Sequence, residues 1–116
     1  FEPDGVAVDP QGEFAYVVNF SDDTVSGYTI NPSNGALTQV RGSPFAAGLD
    51  PYGVAVDSTS KYAYVVNYGD GNVSAYAIAT SGALTPVTGS PFAALVDPFG
   101  IATCRRVGSA CKPPPL

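Results

Sequence analysis

Histidine, tryptophan and methionine are all missing from this chain of 116 residues. Without histidine, the commonest general base and the commonest neutral metal ligand are gone, and with them any Ser-His or Cys-His nucleophile pair. Ser43 and Ser90 each precede a proline, and Cys104 stands near the end, but no imidazole exists to activate any of them. The lack of tryptophan removes the usual platform for stacking a sugar ring. Charge is also scarce, at 13% of residues, and positive charge scarcer still. Up to Asp97 the chain holds ten acidic residues against only Arg41 and Lys61, while Arg105, Arg106 and Lys112 fall in the tail. An acidic body repels phosphate backbones and anionic headgroups, so no nucleic acid and no membrane is expected as a partner. No apolar run approaches the ~20 residues of a membrane span, and no signal-peptide pattern is visible. The glycines fall at turns and strand starts, not in a strand-to-helix phosphate loop.

Cysteine is limited to Cys104 and Cys111. Their spacing permits a local disulfide worth about 2 to 3 kcal/mol, which favours an extracytoplasmic or secreted setting, and it equally permits two free thiols. The start at Phe1 in place of Met reads as a processed form or a fragment.

What the chain does have is a duplication. Pro3 to Asp50 returns as Pro51 to Asp97, with GVAVD, AYVVN, GALT and GSPFAA each occurring twice in the same order. More than half of the aligned positions match once a single gap is placed at Asn34. A third copy opens at Pro98-Phe99-Gly100-Ile101-Ala102 and is abandoned at Cys104. A unit of this length is one supersecondary element that cannot bury its own faces, so its stability has to come from stacking.

Each copy predicts four short strands separated by turn residues, the pattern of an antiparallel meander. The expected strands are Gly5 to Asp9, Phe14 to Asn19, Thr24 to Ile30 and Ala36 to Val40, then Gly53 to Asp57, Tyr62 to Asn67, Asn72 to Ile78 and Ala83 to Val87. Pro10-Gln11-Gly12, Ser21-Asp22-Asp23 and Asn34-Gly35 supply the breaks. Phe14-Ala15-Tyr16-Val17-Val18 and Tyr62-Ala63-Tyr64-Val65-Val66 are apolar without alternation, which asks for cover on both faces. The fold class is therefore all-β, with blades of a β-propeller forming an incomplete ring in one chain. Residues 1–50 make the first blade, 51–97 the second, 98–103 the start of a third, and 104–116 a non-repeat tail.

Gly53-Val54-Ala55-Val56-Asp57, Tyr64-Val65-Val66-Asn67 and Asn72-Val73-Ser74-Ala75-Tyr76, with Tyr16 to Asn19 as the first copy, resemble the YVTN repeat. Gly82-Ala83-Leu84-Thr85 and Gly89-Ser90-Pro91-Phe92 make the chain similar to the lactonase-type seven-bladed propellers, relatives of 6-phosphogluconolactonase. The resemblance covers Pro3 to Thr103 and implies a propeller fold. Seven such blades need more than about 300 residues, so a lactonase site built from several blades would be mostly missing. No residue here matches a catalytic position of the family.

In a meander of this kind, the turns between the second and third strands share an end with the links between blades. That loop face collects Asp4, Asn19, Ser21, Asp22, Asp23 and Asp50, with Asn67, Asp70, Asn72 and Asp97 from the second copy. Clustered oxygens of this sort can hold Ca²⁺ or bind sugar hydroxyls; the same residues also make turns at strand ends with no ligand at all. No cofactor is otherwise predicted. The residue after each blade-starting proline changes from Asp4 to Tyr52 to Phe99 while its neighbours repeat, so side chains there either shape a ligand site or fill unequal gaps. Tyr16, Tyr28, Tyr64 and Tyr76 lie inside strand runs and read as blade-to-blade packing. Arg41, whose counterpart is Thr88, reads as a solvated surface residue.

Three functions are compatible with these readings. The leading one is a non-catalytic module for binding or assembly, self-associating to cover exposed blade faces, or docking on missing blades of a longer parent. The second is a fragment of a lactonase-like enzyme hydrolysing a sugar-acid lactone. The third is a two-bladed, lectin-like sugar binder.

Overall fold

The computed structural model describes residues 3–94. Phe99, the start of the third copy, Cys104, Cys111 and the tail lie outside the described residues.

Ten strands form two sheets, one per copy, and no helix occurs among the described residues. In the first sheet β1 (Pro3–Val8), β2 (Phe14–Asn19), β3 (Thr24–Ile30) and β4 (Leu37–Gln39) run antiparallel in chain order, and β5 (Phe45–Ala46) joins the same edge of β3. The second sheet repeats this with β6 (Pro51–Val56), β7 (Tyr62–Asn67), β8 (Asn72–Ile78), β9 (Leu84–Pro86) and β10 (Phe92–Ala93). The expected second and third strands of each copy appear with the residues assigned to them. The expected fourth strands appear, shortened to Leu37–Gln39 and Leu84–Pro86, and a fifth short piece that the sequence reading did not include shares the outer edge with each.

A hydroxyl bridges the break. β4 pairs Tyr28 to Ile30 and β5 pairs Thr24 and Val25, which leaves the middle of β3 without a strand partner on its outer edge. There the Gly27 amide donates to Ser43 Oγ at 2.8 Å, and the Gly27 carbonyl accepts from the Val40 amide at 2.8 Å. Ser90 Oγ accepts from the Ala75 amide in the same way at 2.9 Å. Ser43-Pro44 and Ser90-Pro91 are both cis, at matching points of the two blades. Buried ladder groups must be satisfied, so these serines serve the sheet edge.

The core lies between the sheets and not inside either. Phe14, Tyr16, Val18 and Val25 from one face of the first blade pack with Val56, Ala63, Val65, Tyr76 and Leu84 from the opposite face of the second. Side chains alternate along a strand, so Tyr62 and Tyr64, the counterparts of Phe14 and Tyr16, point to the far side of the second blade. Their surroundings differ accordingly: Phe14 is 8% exposed and Tyr62 41%. The reverse holds on the other blade, where Val8 and Leu37 are 55% and 54% exposed while their counterparts Val56 and Leu84 are 7% and 6%. Sequence asked for cover on both faces of each apolar strand; the outward faces are buried at Ala15 and Val66 but leave Val8, Leu37 and Tyr62 exposed.

Two phenols clasp this interface. Tyr16 donates to the Gly82 carbonyl at 2.7 Å, and Tyr76 returns the bond to the Ala46 carbonyl at 2.6 Å. Burial, and after it the carboxylate charge of Asp9, push the Tyr16 phenol well above its ordinary value, so the donor keeps its proton. Gly82 makes the approach feasible. A Cβ there would stand 2.7 Å from the Phe14 ring, and its φ of +91° favours glycine in any case.

At the opposite end from the blade link, Asp9 closes the turn between β1 and β2. Its carboxylate accepts from the amides of Glu13 at 2.6 Å, Phe14 at 2.8 Å and Gln11 at 3.3 Å. Burial raises its pKa, but the hydrogen bonds outweigh burial and hold it below the usual carboxylate range. Asp57 repeats the arrangement with the amides of Lys61 and Tyr62 at 2.8 and 2.9 Å and with the Thr59 hydroxyl, and its pKa is likewise lowered.

These contacts set two expectations. Gly35, the counterpart of Gly82, has φ +76°, but a Cβ added to it would meet nothing within 4 Å. Gly35→Ala should therefore cost about 1 kcal/mol of backbone strain, and Gly82→Ala roughly 2 to 4 kcal/mol because strain and overpacking add. Equal losses in urea unfolding would contradict the interface described. Because Asp9 and Asp57 have depressed folded pKa values, their stabilisation is full above about pH 4 and fades as pH falls through those values. Asp9→Asn should lower stability by about 1 to 3 kcal/mol at pH 7 and flatten the loss as pH falls below about 4, as read from urea midpoints.

Candidate functional site

The loop face forms where the link between blades, residues 47–50, crosses the turns that follow β2 and β7. Sequence placed Asn19, Asp22, Asp23, Asn67, Asp70 and Asn72 there, and the fold brings most of them into one hydrogen-bonded staple. Asn67 is its centre and is fully buried. Its Oδ1 accepts from the Gly48 amide at 3.0 Å, and its Nδ2 donates to Asn72 Oδ1 and Ser74 Oγ, both at 2.8 Å. Asp70 Oδ2 accepts from the Leu49 amide at 2.9 Å. Asp23 Oδ1 accepts from the Asp50 amide at 2.9 Å, and the Asp23 carbonyl takes the Ala47 amide. Three successive link amides are thus held by three side chains of two turns.

Glycine is required at one point of this crossing. A Cβ on Gly48 would lie 2.7 Å from the Asn67 amide group and 2.9 Å from Asp70 Oδ2. The link can approach closely enough to bond only because it carries no side chain there.

Asn19 repeats the inner half of the pattern, donating to Thr24 Oγ1 at 3.0 Å and Ser26 Oγ at 2.9 Å. Ser21 and Asp22 sit in the same turn and are engaged as well. The difference between Asp23 and Gly71 has a conformational reading: both take the left-handed region, with φ of 58° and 64°. Asp tolerates that region and adds the acceptor that holds Asp50. Among the described residues, no three acidic, cysteine or histidine side chains converge as metal ligands would.

Asp4 and Tyr52 stand apart from the staple. The pairing of β1 with β2 shifts register between Pro3 and Gly5, and that of β6 with β7 shifts between Pro51 and Gly53. The position that varies between copies is therefore the extra residue of a β-bulge, a device that re-aims a side chain and is common beside functional sites. Both residues are exposed, and the two bulges are adjacent, since a Cβ on Gly5 would stand 3.3 Å from the Tyr52 carbonyl. The Tyr52 ring lies 6.5 Å from that of Tyr68 at a tilted 47°. Variation at these positions was readable from sequence; the bulge was not, because pairing register is a property of two strands.

The carboxylates with displaced pKa values, Asp9 and Asp57, lie in turns at the other end of the sheets and are saturated with backbone donors. Sequence reasoning gave them no role, although their place at the end of each GVAVD motif marked them. Ser43 and Ser90 are committed to the sheet edge.

Comparison with solved structures bears on the fold. A candidate 6-phosphogluconolactonase from Bacteroides fragilis superposes with a TM-score of 0.74 at 20% identity, over 82% of this chain and 26% of its own. The periplasmic gluconolactonase of Pseudomonas aeruginosa gives 0.67 at 22% identity, over 77% of this chain and 26% of its own. Hydrazine synthase of Kuenenia stuttgartiensis gives 0.68 at 20% identity, over 86% of this chain and 25% of its own. At these identities the likeness is one of fold, and proteins with such different names share it. The chain spans about a quarter of the length of each of these structures. No curated protein sequence matches it. Residues 2–92 match the family model of the lactonase, seven-bladed β-propeller proteins, and with its two paired antiparallel sheets the chain belongs to that family.

Proposed function

We propose that this chain is a non-catalytic pair of propeller blades that serves assembly, building or completing a larger ring. The observation that carries the reading is the commitment of the loop-face groups: Asn19, Asp23, Asn67, Asp70 and Asn72 hold turns and the blade link, while the outward apolar faces stand open. Side chains spent on structure are poor candidates for substrate binding, and exposed apolar faces are the usual mark of association. The adjacent bulges at Asp4 and Tyr52, where the two copies differ, are the place proposed for a ligand, whether a small molecule or a sugar. Ca²⁺ held by the clustered oxygens of the loop face is a weaker proposal, as is an extracytoplasmic location, supported by the spacing of Cys104 and Cys111 and by the periplasmic neighbour.

A second reading has family membership behind it: the chain would be part of a lactonase-like enzyme acting on a sugar-acid lactone. In a ring of seven blades such a site would draw on residues beyond these two. One assay tests whether these two blades carry lactonase activity by themselves. The purified chain should hydrolyse δ-gluconolactone and 6-phosphogluconolactone no faster than buffer; a rate above buffer that vanishes on replacing Asp4 or Tyr52 would overturn the assembly reading. Asn67→Ala should lower stability by about 2 to 4 kcal/mol, since it strands three partners, and calcium should not restore it.

A further inference from the structure

We infer that the two open blade faces are complementary to each other and that a second copy of this chain docks head to tail, first blade onto second. This rests on the assembly reading above and specifies its geometry. The internal interface supplies the template. The two phenol bonds and the contacts of Phe14, Val56 and Leu84 between the blades use residues whose counterparts stand on the outward faces.

Leu84 and Val56 are buried against the first blade, while Leu37 and Val8 hold the same places on the first blade and are exposed. Phe14 is buried against the second blade, while Tyr62 holds its place on the second blade and is exposed. The hydrogen bonds transfer too. Tyr16 bonds the Gly82 carbonyl, so Tyr64 matches Gly35 of a second copy; Tyr76 bonds the Ala46 carbonyl, so Tyr28 of that copy matches Ala93. Gly35 offers the clear approach that Gly82 needs, with nothing within 4 Å of a Cβ placed on it. None of Val6, Val8, Tyr28, Leu37, Tyr62 or Tyr64 carries formal charge, so the faces escape the repulsion of the acidic body at close range.

The two faces differ, so this contact is heterologous: it does not stop at a dimer but continues until a ring closes. That property gives the test. Sedimentation of the unaltered chain over a range of concentrations should show species larger than dimers. Leu37→Asp removes one face and Tyr62→Asp the other, and each variant alone should be monomeric. Mixed in equal amounts, the two should form a heterodimer through their one intact pair of faces, and nothing larger. Tyr64→Phe, which deletes one hydrogen bond, should weaken association about tenfold. Circular dichroism checks that the variants fold; should either aspartate prevent folding, Leu37→Gln and Tyr62→Gln replace them with the same expectations.

A single variant that dimerises as well as the unaltered chain, or a mixture that stays monomeric, would overturn head-to-tail docking. Dimers formed through one face alone would overturn it too, while leaving the assembly reading standing. A chain monomeric at every concentration would remove both, and lactone hydrolysis by a monomer would remove the assembly reading on independent grounds.

Discussion

A single blade of short strands has two apolar faces and no means of burying either. That constraint governs the rest of the structure. One face of each blade is satisfied by the other, through the layer of Phe14, Tyr16 and Val18 against Ala63, Val65 and Leu84. The reciprocal phenol bonds, Tyr16 to Gly82 and Tyr76 to Ala46, fix how the faces are set against each other. Hydrophobic burial is non-directional, and these two buried donors add the direction that it lacks. The staple at Asn67 performs the same service for the link, so that the second blade starts at a defined place beside the first.

The same economy explains why a chain with many polar loop residues offers little free chemistry. Asn, Asp and Ser recur at fixed places because the backbone leaves groups unpaired at fixed places. Ser43 and Ser90 fill the gap where the outer strand is broken. Asp9 and Asp57 fill the turn after the inner strand, and their lowered pKa values express that duty. A motif repeated in both blades is for this reason a structural motif, and the positions that vary, Asp4 and Tyr52, are those that the bulges turn toward solvent.

Much of the fold was legible in the sequence. Periodic turn residues and unalternating strands such as Phe14 to Val18 led to stacked blades because local pattern dictates both strand and demand for cover. The broken outer strand escaped notice, since a serine hydroxyl standing in for a ladder acceptor depends on which part of β3 is left bare. The loop-face cluster was located correctly at one end, because strand direction alone settles that. Its use was not legible: that Asn67 reaches back to Gly48 and forward to Ser74 depends on a link arriving from a different blade. Faces open in one blade and closed in the other carry identical motifs, so no sequence reading of a single blade separates them.

The central claim is that equivalent residues differ in worth only because one blade face is covered and the other is not. Leu84→Ala and Leu37→Ala are the same change at matched positions, and their unfolding free energies, measured at a dilution where the chain is monomeric, test it directly. The account predicts a loss of about 2 to 4 kcal/mol for Leu84→Ala and under about 1 kcal/mol for Leu37→Ala. Losses of equal size would contradict it.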